Sequence, residues 1–202
     1  MPAESTLLEE INRLHRRKFL YAPLKKYGMR RLCEVGVRSG ANLRHLLNAD
    51  PEVMAAVDIW KADENPDRND SGVSQERLDR YYKEICSWKT KFPCLQVLRM
   101  YSVEAAQQFT DGYFDFVYID ADHSYDGISE DVAAWWPKIR LGGILSGHDY
   151  NDGYVSGSTV FAVKQVVDKF VAAEGLQNWF CLVPKPPAPG PSWFIMKPPL
   201  KT

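Results

Sequence analysis

The chain has 202 residues, 45% of them apolar and 25% charged, with a formal net charge of −1. That balance excludes a disordered chain and a general nucleic-acid binder, and no uninterrupted apolar run approaches the ~18 residues of a membrane span. The length suits one domain over 1–202 with a full core.

The four cysteines, Cys33, Cys86, Cys94 and Cys181, form no C-x-x-C pair and read as reduced, mostly core thiols of a cytoplasmic protein. Residues 1–30 are expected to form a helical cap. Over 5–19, Leu7, Leu8, Ile11, Leu14 and Phe19 fall near one helical stripe, with Ser5 able to cap it. The segment mixes charged and apolar residues, unlike a secretory signal. Residues 1–31 carry eight Lys or Arg against three Glu, a net +5 that leaves −6 for the rest. A solvated basic face is the simpler reading, and a patch for an anionic partner the sharper one. His15 and His45 fall on predicted helix surfaces and are assigned no role.

The core is expected over 31–183. A strand over 32–37 runs into Glu34-Val35-Gly36-Val37-Arg38-Ser39-Gly40, and a helix follows over 41–48. The spacing is E-x-G-x-x-x-G. A dinucleotide turn would need glycine where Arg38 stands, so this turn leaves room for a ligand without suiting a pyrophosphate. Glu34 points to hydroxyl or ammonium groups. The second strand, over 53–60, is apolar until Asp58, which lies 24 residues after Glu34. That is near the spacing of a ribose-binding acid at the end of strand two. Residues 61–72 are polar and long, and read as either a mobile lid or a disordered loop.

A helix over 74–88 places Leu78, Tyr82 and Ile85 on one side, and a strand over 95–100 leads to a helix over 103–109. The fourth strand, over 114–121, ends Asp120-Ala121-Asp122-His123. The helix after it buries Ile128, Val132, Trp135 and Trp136 and stops at Pro137. Leu141-Gly142-Gly143 is read as a turn into a fifth strand over 144–150, ending His148-Asp149-Tyr150. A Gly/Ser loop over 151–158 leads to a helix carrying Val163, Val166, Val167 and Phe170. Closing strands over 179–183 and 192–197 flank a Pro-rich link, so 184–202 forms link and last strand. Seven strands alternating with helices predict a doubly wound α/β fold, a mostly parallel sheet with a closing antiparallel strand.

In such a sheet the carboxylates Glu34, Asp58, Asp120 and Asp149 all fall at one edge. Four acids gathered there need cations or hydrogen-bond donors. The strand-four segment, Leu141-Gly142-Gly143 and His148-Asp149 together resemble the metal-dependent small-molecule O-methyltransferases, of the caffeoyl-CoA, catechol and macrolide-sugar types. Glu34 to Gly40 resembles the first motif of class I S-adenosylmethionine-dependent methyltransferases. The likeness covers roughly residues 30–175.

The resemblance implies a Rossmann-like methyltransferase fold that binds S-adenosylmethionine, methylates a small-molecule acceptor and uses a divalent metal, Mg or Mn. The implied cofactor-facing residues are Glu34, Gly36, Arg38, Ser39, Gly40, Asp58, Ile59, Tyr101, Ser102 and Asp120. Asp120 matches a metal-binding acid, His123 the general base, and Asp149 a further metal ligand. Two departures stand out: His148 occupies the place of an acid, and Tyr150 the place of Asn. A metal set of Asp120, His148 and Asp149 shifts the preference from Mg²⁺ toward Mn²⁺, Fe²⁺ or Zn²⁺, and leaves a metal-free site open. A NAD-binding oxidoreductase and a non-catalytic cofactor-binding protein stay open as alternatives. Nothing in the sequence decides between a monomer and a homodimer.

Overall fold

The structure is a computed structural model and describes residues 4–14, 16–62, 73–154, 160–183 and 190–199. His15, most of the lid-like stretch (63–72), the centre of the Gly/Ser loop (155–159) and most of the Pro-rich link (184–189) lie outside them. In chain order the elements are α1 (Glu4–Asn12), α2 (Tyr21–Lys26), β1 (Arg31–Val35), α3 (Ala41–Leu46) and β2 (Val53–Asp58). Next come α4 (Gln75–Ser87), β3 (Leu95–Arg99), α5 (Ser102–Ala106), β4 (Phe114–Ile119), α6 (Tyr125–Trp135) and β5 (Ile139–Gly147). The chain closes with β6 (Asp152–Tyr154), β7 (Val160–Ala162), α7 (Val163–Ala173), β8 (Trp179–Leu182) and β9 (Ser192–Met196).

Seven strands form one sheet in the order β3-β2-β1-β4-β5-β9-β8. Neighbours are parallel from β3 through β5, and β9 alone runs antiparallel to both its neighbours. This is the expected doubly wound, Rossmann-like methyltransferase fold. Successive residues of a strand face opposite sides, so each strand feeds two cores. On one side Leu32, Met54, Phe116 and Ile144 pack with Ile11, Leu24, Leu43 and Ile85 of the N-terminal segment, α3 and α4. On the other, Cys33, Val57, Val117 and Leu145 pack with Ile128, Val132, Trp135 and Val167 of α6 and α7. The Trp pair is core: Trp135 is fully buried and Trp136 packs partly against it.

The strand order reverses between β1 and β4, which opens a crevice at their carboxyl ends, where ligands bind in such sheets. The opposite edge is committed to structure. There the buried Asp115 accepts N–H bonds from Arg30 and Arg31 at 2.8 and 2.7 Å and from the Arg140 guanidinium.

Five local expectations differ. The N-terminal helix stops at Asn12, and a 3₁₀ turn (Arg17–Phe19) separates it from α2. Pro23 sits in the first turn of α2, where its missing N–H leaves no bond unmade. Phe19 is 44% exposed, and Leu20 takes the core place instead. Leu141-Gly142-Gly143 is a bulge inside β5. The Gly/Ser segment contributes an antiparallel hairpin of β6 and β7. Of the cysteines, all free thiols, Cys33 is buried and the other three are only half-buried. No helix among the described residues is long and apolar enough to cross a membrane.

Candidate active site

Past Val35 the strands remain knitted: Gly36 N–H donates to the Val57 carbonyl at 2.8 Å and Asp120 N–H to the Val35 carbonyl at 2.7 Å. Gly36 has φ +87°, and a Cβ there would overlap the Asp120 carbonyl. Only glycine lets β4 pass so close. Gly40, φ +76°, starts α3 with no room for a Cβ beside the Trp88 ring. Between them Arg38 takes a left-handed conformation, φ 50°. Asp58 ends β2 and holds this turn. One carboxylate oxygen accepts the Arg38 N–H at 2.7 Å and the other the Trp60 N–H at 2.6 Å. Trp60 is left-handed as well, φ 43°, and its indole N–H donates to the Arg38 carbonyl at 2.8 Å. Burial raises the Asp58 pKa, against the pull of those two N–H groups. Each Asp58 oxygen keeps a second lone pair for a ligand.

A cleft of about 850 Å³ opens above this turn. Gly36, Arg38, Asp58, Ile59, Tyr101, Ser102 and Asp120 all line it. Glu34, Ser39 and Gly40 are not among its lining residues. Glu34 is 1% exposed and lies in register with Ala56 and Tyr118, inside the sheet and two residues short of the edge at Gly36. The four acids therefore do not form one ring: Asp58 and Asp120 share the cleft, and Glu34 lies beneath it.

Sequence reasoning missed Trp60 and the acids on the far bank, chief among them Asp131. This side chain is 4% exposed. Burial, with the Asp122 and Glu130 charges, raises its pKa to about 6 against the opposing Ser102 hydroxyl. That hydroxyl in turn accepts the Trp135 indole N–H at 2.8 Å. A readable signal existed. Asp131 follows Ile128 by three residues and precedes Trp135 by four, so it is an acid on the apolar stripe of α6.

Asp120 also faces a second group, from the tips of β4 and β5. His123 Nε2 lies 3.3 Å from Asp149 Oδ2 and 3.6 Å from Asp120 Oδ1, charge contacts rather than aligned hydrogen bonds. His148 Nδ1 lies 3.0 Å from the same Asp149 oxygen and 3.8 Å from Asp120 Oδ1. Asp149 is left-handed, φ 48°, and its carboxylate lies against both imidazoles. Phe161 stacks on the His123 ring at 4.4 Å, and the Ala162 N–H holds the His123 carbonyl at 2.9 Å. Burial alone would lower the His123 pKa, but Asp120 and Asp149 outweigh it and raise it to about 9. Burial would raise Asp149, and the two histidines instead hold it well below the usual carboxylate range. The buried His123 Nδ1 and His148 Nε2 have no hydrogen-bond partner among the described residues. Tyr150 turns away to bond Asp168.

Asp120, His123 and Asp149 each offer a ligand atom, all within 4.8 Å of one another. Two carboxylates and an imidazole at that spacing fit a divalent cation, with the mixed donors favouring Mn²⁺ over Mg²⁺. The sequence had put His148 in this set. The mutual ligand spacing brings in His123, with His148 beside it.

A profile of a family described as "Methyltransferase domain" matches residues 33–150. No curated protein sequence matches the chain. Among solved structures, an O-methyltransferase from Bacillus cereus, in complex with SAH, superposes with a TM-score of 0.63 at 17% identity, over 98% of this chain and 93% of its own. The N-methyltransferase NodS from Bradyrhizobium japonicum gives 0.60 at 12%, over 91% and 95%. A spermidine synthase from Thermotoga maritima gives 0.55 at 17%, over 84% of this chain, which spans about half (53%) of that protein. At these identities the likeness is one of fold.

Proposed function

Since the chain belongs to the methyltransferase-domain family, we propose that it moves a methyl group from S-adenosylmethionine to a hydroxyl oxygen of a small-molecule acceptor. The observation that carries this is the cleft lined by Gly36, Asp58 and Asp120 together at the switch point of the sheet. Asp58 would accept the ribose hydroxyls on its spare lone pairs, and Tyr101 and Ser102 would flank the adenine. Asp120 would face the positively charged end of the donor. The acceptor oxygen attacks the methyl carbon in line as the carbon–sulfur bond breaks, leaving S-adenosylhomocysteine. The enzyme contributes mainly orientation and exclusion of water.

Where no cation is bound, His123 in its neutral form, held in place by Phe161 and its own carbonyl bond, would take the acceptor's hydroxyl proton. Asp120 and Asp149, with a His123 nitrogen, would hold a divalent cation, Mn or Mg. Such an ion supplies a lowered hydroxyl pKa and a fixed direction of approach.

Calorimetry tests the cofactor. S-adenosylhomocysteine should bind and NAD should not, and Asp58→Ala should weaken binding by about tenfold or more. Unchanged affinity in that variant removes the ribose role, and binding of NAD alone removes the reading. His123→Ala should cut turnover by about 100-fold or more while leaving cofactor affinity close to wild type.

A further inference from the structure

Both oxygens of Asp149 are in contact, and with different parts of the chain. Oδ2 lies 3.0 Å from His148 Nδ1 and 3.3 Å from His123 Nε2. Oδ1 lies against Gly190, two residues before β9. A Cβ added at 190 would overlap that oxygen. The next atoms it would meet, Asn151 Nδ2 and Asp149 Cγ, stand at 3.5 Å, an ordinary contact distance.

The backbone does not itself ask for glycine here. Gly190 lies outside the left-handed region, and the residue before a proline is held extended, a conformation open to any side chain. What calls for a bare backbone is space, and the Asp149 carboxylate fills that space. The contact is also fixed from both partners. The Pro191 carbonyl accepts the Tyr150 N–H at 3.1 Å, which ties the start of the last strand to the residue after Asp149. Tyr150 is anchored in turn by its hydroxyl on Asp168. A carboxylate turns as one unit about its Cβ–Cγ bond. Moving Oδ1 clear of a methyl group at 190 therefore draws Oδ2 off two imidazoles. We infer that Gly190 is a positioning residue: its bare backbone backs Asp149 so that the other oxygen stays on His123 and His148. This rests on the reading above that places Asp149 in the methyl-transfer site, and it brings the start of β9 into that site.

A double-mutant cycle reads the contact directly. In the wild-type chain Gly190→Ala should lower the melting temperature by about 3–6 °C. In an Asp149→Ala background no carboxylate meets the added methyl group, and the same change should move it by about 1 °C or less. Should Gly190→Ala alone fail to fold, recovery of the fold in the double variant gives the same answer. Side-chain ¹H–¹⁵N spectra of the histidines read the position of the carboxylate. In Gly190→Ala the His123 and His148 signals should move toward those of Asp149→Ala, while S-adenosylhomocysteine binds within about twofold of wild type. Equal melting losses in both backgrounds, or none in either, would show that the carboxylate is not what glycine makes room for. Coupled melting with both histidine signals at their wild-type positions would leave the contact in place and end the positioning role. If wild type does not bind S-adenosylhomocysteine, the methyl-transfer reading fails, and the melting cycle and histidine signals still decide whether Gly190 places Asp149.

Discussion

Asp131 shows how one residue reports on the cleft. Its pKa is raised to about 6 by burial. For an acid raised on folding, the folded chain holds the proton more tightly than the unfolded one. The resulting stability is full below the unfolded value of 3.8 and is lost as pH rises through about 6. Asp131→Asn cannot ionise, so it should match wild type near ~pH 4 and exceed it above ~pH 7 by up to about 3 kcal/mol. Urea unfolding at the two pH values measures this, and an equal difference at both would reject the assignment. Gly36 makes the opposite case. A methyl group there meets the Asp120 carbonyl in a left-handed backbone, so Gly36→Ala should cost about 3 kcal/mol or more and lower the melting temperature. At this scale the sequence was legible for position where chemistry and spacing agreed, since Asp58 ends β2 and lines the cleft. It misled at Glu34, because an acid inside an apolar run looks like the end of the strand, whereas pairing with β2 and β4 carries the edge to Gly36. At Asp131 it showed an acid on the apolar stripe of α6 but not the burial that raises its pKa, which comes from α5 packing against α6.

Elements show the same division. Apolar runs marked every strand of the main sheet, because buried parallel strands need little else. What they could not mark was irregularity. Leu141-Gly142-Gly143 reads as a turn because paired glycines end most strands, yet it is a bulge that β9 captures. Gly142 N–H donates to the Lys197 carbonyl at 2.9 Å, and Lys197 N–H to the Gly143 carbonyl at 2.9 Å. The pairing with β4 slips here, Phe114 facing Ile139 while Phe116 faces Ile144. Such a capture depends on a residue more than 50 positions away and has no local signature. Lys197 completes it: its ammonium donates to the Trp136 and Ile139 carbonyls, both at 2.9 Å, and lies over the Trp136 ring. It thereby satisfies carbonyls at the end of α6. Lys197→Met should leave cofactor affinity unchanged and lower stability by about 1–2 kcal/mol, or several degrees of melting temperature. A calorimetric melt together with a binding titration separates this from an effect on the site.

Across the whole molecule, charge is sorted by place. Half of the eight N-terminal cations pair with nearby acids: Lys26 with Glu10, Lys25 with Asp50, Arg30 with Glu52 and Arg13 with Glu9. That arrangement fits a solvated face better than a docking patch. The acid excess concentrates at the carboxyl edge, where β4 and β5 bring Asp120 and Asp149 around His123. Two carboxylates this close need a positive charge between them, and the protonated imidazole supplies one. A divalent cation would compete for the same place, with the imidazole giving up its proton to become a ligand. The two occupants differ in a way that unfolding can read. A cation that binds the folded chain stabilises it by about 2.7 kcal/mol at 100 times its dissociation constant, whereas the imidazolium adds nothing when metal is supplied. Millimolar Mn²⁺ should therefore raise the melting temperature, Mg²⁺ should do so less, and Asp149→Asn should abolish the response to both. If neither ion moves the melting temperature of the wild-type chain, the two acids serve to hold a charged histidine, and turnover should rise with pH toward about 9 as His123 loses the proton that keeps it from acting as the base.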